Sequence, residues 1–316
     1  MDSKILIQNA EIALAAYANL TSASLASDSQ NQALKGAGMA TAQASAFASN
    51  YVAALPTYHD SSSDLDVTVF KDSAGSLTLG IRGTLPGHDL LVTDAQIAAF
   101  GLAYDQVVAL YNWWQRVSTP PNTWVPQYQL SLASGSSQAI NVNGLWLEPA
   151  PWVMSTGELV SALAADPDHR IDVTGHSLGG HLAMAFAALF PDAVNQVVTF
   201  DAPGFGSSTA NQAFFTALGG TLPTDSLTTH GNSILNVVAD EASLGQAPWS
   251  AIAGYRSRPG DDSDIAIENQ WQSDEPQPEP ITSGANHSIK MLADSLAVYN
   301  TLALLDPNLT PETYKT

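Results

Sequence analysis

Ser177 stands between two glycines in Gly175-His176-Ser177-Leu178-Gly179. A serine hydroxyl is a weak nucleophile until a neighbouring base takes its proton, and that base is commonly a histidine oriented by a carboxylate. The spacing alone is weak evidence, since three fixed positions of such common residues recur by chance in roughly one chain in ten of this length. Its surroundings strengthen it. The β-branched run "IDVT" (171–174) precedes the motif and the apolar run "HLAMAFAALF" (181–190) follows it, so the serine falls on a strand-to-helix turn. Such a turn forces the serine into a strained backbone conformation, while small flanking residues let the turn close with Oγ pointing away from the sheet. Gly175, His176 and Gly179 therefore form the elbow. The N–H of Leu178, opening the helix, suits a developing oxyanion.

In an open α/β sheet the acid and then the histidine should follow the serine, each in a loop after a later strand. Two histidines lie far enough downstream. His230 stands at the wrong end of the strand "SILNVVAD", and His287 opens the last helix after a long loop, so His287 is the candidate base. Asp240 ends the later strand and is the candidate acid; Asp201, at the end of the strand after the nucleophile helix, is the alternative. A second oxyanion donor should come from a loop after an early strand. In "LTLGIRGTLPG" the N–H of Thr84 meets that requirement, and Arg82 is read as an anchor of the loop. Leu85 on the same loop and Trp124, beside prolines, are candidates for substrate contact.

The elements that must position these groups are legible in outline. "MDSKILIQNAEIALAAYANL" has helical apolar spacing. "LDVTVFKD" and "SLTLGIRG" read as strands joined by the turn "DSAG", and 89–117 reads as helix stopped by the prolines of "STPP". Residues 118–153 lack a long helix and carry short strand-like runs, so they form an excursion from the core and a candidate lid or cap. The other lid candidate is "DLLVTDAQIAAFG". A helix is expected in "STGELVSALAAD", with Ser155 and Glu158 as a capping box. Strand and helix then alternate to the end, which predicts an α/β fold with a mostly parallel sheet covered on both faces. The expected organisation is one domain over 1–305. Residues 306–316 form a tail in which Thr310-Pro311-Glu312 starts a helix leading into a following segment.

Composition narrows the function. The 316 residues are 45% apolar, with 30 acidic against 10 basic side chains and a net charge of −20. That disfavours nucleic acid as a partner, and the absence of cysteine removes disulfides, thiolate nucleophiles and cysteine-based zinc sites. No uninterrupted apolar run reaches membrane-spanning length. His176 and His181, five apart with no third ligand, are not read as a metal site. The carboxylates of "PGDDSDIAIEN" could hold calcium but lack the ligand order of a calcium loop, so the run is read as a solvated loop and no cofactor is required. Five of the seven tryptophans fall between 113 and 152, where they suit a core or a lipid-facing surface.

"GIRGT", "VTGHSLGGHLA", "VVTFDAPGFG", "ILNVVAD" and "NHSIKMLADSLAVYN" occur in the order seen in class 3 (fungal-lipase-like) lipases, which the chain resembles over about residues 60–305. The HLA and NHS variants are most similar to lipase domains of bacterial repeat-in-toxin proteins. The resemblance implies an α/β-hydrolase fold and hydrolysis of carboxylic esters in a lipid-like substrate, by a triacylglycerol lipase or phospholipase, with contact at a lipid–water interface. Family members commonly carry glycine where Asp201 stands. An esterase or acyltransferase for small soluble esters is the alternative, and a hydrolase fold kept only for binding is disfavoured by the serine, histidine and acid together. Secretion is expected, without a signal peptide at the N-terminus; a cytoplasmic location fits the same composition.

Overall fold

Eight strands build the central sheet of the computed structural model, which describes residues 2–21, 25, 27–84, 93–166, 168–223, 227–229, 231–240, 257–266 and 287–314. Three helices open the chain: α1 (Ser3–Ala15), α2 (Asp28–Gly36) and α3 (Thr41–Asn50). The first two are capped by side chains, Asp2 accepting from Lys4 N and Ser27 from Gln30 N, which satisfies otherwise orphaned N–H groups. Strands β1 (Tyr51–Ala53), β2 (Tyr58–Asp60), β3 (Leu65–Asp72) and β4 (Leu77–Ile81) form the antiparallel flank. The expected hairpin at "DSAG" is β3–β4.

Helix α4 (Thr93–Phe100) and helix α5 (Tyr104–Ser118) follow. The single helical stretch expected over 89–117 is thus divided, because Gly101 takes φ 71°, which ends a right-handed helix. The excursion is a three-stranded antiparallel sheet of β5 (Trp124–Ser131), β6 (Ile140–Val142) and β7 (Leu145–Met154). Its β6–β7 hairpin turns on Asn143-Gly144, both at positive φ, a turn signal absent from the sequence reading.

The helix expected at 155–166 shrinks to α6 (Val160–Leu163), and its capping box is not formed. Ser155 is occupied elsewhere: its hydroxyl donates to Pro120 O and accepts from Thr123 N, pinning the base of the excursion.

The parallel part then runs as β8 (Ile171–His176), α7 (Leu178–Leu189), β9 (Val194–Phe200), α8 (Thr209–Ala217), a small ladder of β10 (Thr228–Thr229) with β11 (Asn232–Ser233), and β12 (Leu235–Asp240). It ends with β13 (Asp261–Ala266), α9 (Ile289–Leu305) and the single turn α10 (Pro311–Tyr314), whose Thr313 N bonds Thr310 Oγ1. The strand order is β1-β3-β4-β8-β9-β12-β13, with β2 on β3, and β4 through β13 are parallel. The acidic run expected as a solvated loop is in part β13. β12 pairs with one side of its backbone, while Arg258 holds Asp262 at 2.6 Å.

Alternate residues of the strands feed two cores, one on each face. Val173, Val194 and Val197 pack with α5, α7 and α8; Phe70, Val198 and Phe200 pack with α1, α3 and α9. This is the α/β-hydrolase architecture. Trp113 and Trp114 lie in the first core, whereas Trp124 and Trp152 are about 60% exposed.

The turn after β8 depends on contacts too close for any side chain. A Cβ on Gly179 would lie 2.1 Å from Ile81 O, and one on Gly175 would lie 2.3 Å from Gly179 O. The start of α7 is therefore pressed backbone to backbone against the end of β4. Gly179→Ala is expected to cost several kcal/mol, in the range of about 4 or more that marks severe core disruption; chemical denaturation with an unchanged midpoint would contradict this.

Candidate active site

Ser177 sits at φ 57° and ψ −127°, between the last residue of β8 and the first of α7. A non-glycine residue there costs on the order of 1–3 kcal/mol and persists only when its neighbours fix it. They do so through three backbone bonds: Ser177 N donates to Phe200 O at 2.8 Å, and Ser177 O accepts from Gly180 N and His181 N at 3.0 and 3.2 Å. The strain aims Oγ at His287, whose Nε2 lies 2.9 Å away. His287 precedes α9 by two residues and reaches the serine across 110 positions of sequence.

Leu178 is the first residue of α7, so its N–H has no intrahelical acceptor. The loop after β4 also abuts the elbow. A Cβ on Gly83 would lie 2.6 Å from His176 O and 3.3 Å from Ser177 Cβ, so the loop that carries Thr84 packs against the elbow at Gly83. Arg82 anchors this loop, donating to the carboxylates of Asp66 and Asp64 and to Asp64 O. Leu85 lies outside the described residues, as do residues 89–92 of the lid candidate and His230.

Asp201 is fully buried at φ 45° directly after β9, with Ala239 N donating to its Oδ1 at 3.0 Å. His176, Asp201 and His287 each offer an atom within 4.8 Å of the others. They make a poor cation site, because both His176 nitrogens are already engaged: Nδ1 with Tyr17 Oη at 2.8 Å and Nε2 with the backbone oxygen of His287 at 2.5 Å. Asp240 is the last residue of β12, paired with Ala266; its side chain lies outside the described residues. His287 Nδ1 has no partner among the described residues.

Trp124 opens β5 opposite Met154 of β7, with its side chain exposed. Tyr17, which touches the elbow from beyond the end of α1, carried no signal in the sequence.

A serine on a strained elbow with an imidazole nitrogen in hydrogen-bond reach, on this fold, defines a class: the serine ester hydrolases. Residues 111–231 match the model of the family described as Lipase (class 3). Among solved structures, the Lip2 lipase from Yarrowia lipolytica is 19% identical over 84% of this chain and 78% of its own, with a TM-score of 0.41. A triacylglycerol lipase from Penicillium expansum is 13% identical over 84% and 79%, TM-score 0.34. Lipase II from Rhizopus niveus is 15% identical over 83% and 81%, TM-score 0.37. No curated protein matches the chain.

Burial holds the histidines around the elbow in their neutral forms. Desolvation lowers His287 to about 4, so it is a free base at neutral pH. His181, one turn into α7, is stacked on Phe205 at 4.1 Å, donates Nδ1–H to Pro203 O, and is likewise lowered to about 4 by burial. The unfolded chain binds these protons near pH 6.5, before the folded chain does. Stability is therefore complete above pH 6.5 and is lost as pH falls toward 4. For His181 the loss approaches about 3 kcal/mol. Thermal unfolding from pH 7 to pH 4.5 should show a falling midpoint, and His181→Gln should make the fall shallower; an equally steep fall in the variant would refute this account.

Proposed function

We propose that the chain hydrolyses carboxylic esters of lipids by acyl transfer through Ser177. The observation that carries this is the 2.9 Å contact between Ser177 Oγ and His287 Nε2 at a strained elbow. Ser177 Oγ attacks the ester carbonyl as its proton passes to His287 Nε2. The N–H groups of Leu178 and Thr84 receive the oxyanion, and the imidazolium returns its proton to the departing alcohol. Water, deprotonated by the same imidazole, then releases the acid and restores the serine.

Asp240 is assigned to hold Nδ1–H of His287, because it ends the strand next to β9. Asp201, already accepting Ala239 N, is the alternative acid. The class 3 lipase match over 111–231 supports a lipid ester over a small soluble one. Triacylglycerol and phospholipid both fit, as does a role outside the cell like that of the repeat-in-toxin lipase domains.

Ester release from triacylglycerol emulsion and from phosphatidylcholine vesicles tests this directly. Ser177→Ala should lower both by about 10³-fold or more; retained turnover would end the proposal.

The acid is separated from its alternative by pH. A carboxylate at Nδ1 favours the imidazolium and so opposes the lowering by burial. Removing it should move the acid limb of kcat/KM downward and cut the rate roughly 10³- to 10⁴-fold. Asp240→Asn is expected to do both and Asp201→Asn neither; the reverse pattern would reassign the acid.

A further inference from the structure

Tyr17 and His176 take no part in the chemistry just described, yet they lie, the first partly and the second fully buried, between the three segments that must meet for it. Tyr17 Oη packs against Gly83 of the oxyanion loop, where a Cβ would lie 2.4 Å away, and lies 2.8 Å from His176 Nδ1. His176 Nε2 lies 2.5 Å from the backbone oxygen of His287. The direction of every proton in this chain follows. A carbonyl oxygen can only accept, so Nε2 carries the hydrogen. Burial keeps His176 neutral, so Nδ1 is a bare acceptor and Tyr17 must donate to it. Each group has one role, and all the roles agree.

We propose that Tyr17 and His176 are positioning residues, forming a one-way hydrogen-bond relay that sets the base His287 and the oxyanion loop at Gly83-Thr84 relative to Ser177. The relay spans 159 residues between its two side chains and 111 more to His287. It is backed by close packing: a Cβ on Gly83 would sit 2.4 Å from Tyr17 Oη, and the His176 and His287 rings lie 4.8 Å apart. His176 also adjoins Ser177 in sequence, so one ring fixes the nucleophile's neighbour and the loop of the base together. The bond from His176 Nε2 to the backbone oxygen of His287 thus holds the main chain of the base two residues before α9. A displacement of about 1 Å in a base or oxyanion donor costs on the order of 10²-fold in rate.

The inference rests on the serine mechanism, and the experiment separates the two. The rates are kcat and KM for a soluble short-chain ester, each normalised to sites titrated to completion with a fluorophosphonate. Tyr17→Phe keeps the ring and removes the hydroxyl. It should lower kcat about 10- to 100-fold, with KM within about twofold. His176→Leu should do the same, and His176→Gln should recover part of the loss, because its amide N–H can still donate to the His287 carbonyl. The double variant Tyr17→Phe/His176→Gln should be no slower than the slower single, as expected of groups acting as a unit.

A kcat per titrated site within about threefold of wild type in Tyr17→Phe would overturn the relay, as would a change carried by KM alone. If His176→Leu fails to fold, Tyr17→Phe decides the matter. Activity surviving in Ser177→Ala overturns the serine mechanism itself. Activity lost in Ser177→Ala but unchanged in Tyr17→Phe overturns only the relay.

Discussion

The backbone of one residue sets the terms for the rest of this fold. Ser177 is held at φ 57°, ψ −127°, where L-residues are rarely stable, and relaxing it would swing Oγ away from His287. What prevents relaxation is the absence of side chains around it. Gly175, Gly179 and Gly180 let β8 and α7 meet so closely that the turn has no room to open. The parallel pairing of β4, β8 and β9 supplies the rigid frame, and the apolar face of α7, buried along its full length, supplies the force that drives the turn shut.

Much of this was legible in the sequence because it is local. The elbow needs a β-branched run, two glycines and an apolar helix, and these adjoin one another. The parallel sheet follows from strand and helix alternating at regular spacing, and the β3–β4 hairpin from "DSAG" between apolar runs. Less legible were features in which a local signal competed with a distant one. Ser155 and Glu158 read as a capping box, but Ser155 found better partners in Pro120 and Thr123. Gly101 ended a helix that periodicity alone would have continued. The acidic run near 261 looked solvated because its strand is an edge, paired on one side by β12. Tyr17 was invisible, since nothing in its neighbourhood records that it ends against His176.

Charge is distributed unevenly over the molecule. Between Arg116 and Glu158 the sole charged residue is Glu148, and it is buried, accepting from Gln129, Ser131 and Gly135. The small sheet of the excursion thus shows solvent an uncharged surface on a chain of net charge −20, with Trp124, Trp152 and Met154 exposed on it. Long-range repulsion that would keep acidic bodies apart is weakest over this face.

The site draws on widely separated parts of the chain: the end of the first helix, a loop after an early strand, the elbow, and the start of the last long helix. During synthesis these emerge in order, at roughly 5–20 residues per second, and the sheet can begin to form before the last has appeared. A half-made or C-terminally clipped molecule that lacks residue 287 therefore carries Ser177 without the imidazole that faces it in the finished fold.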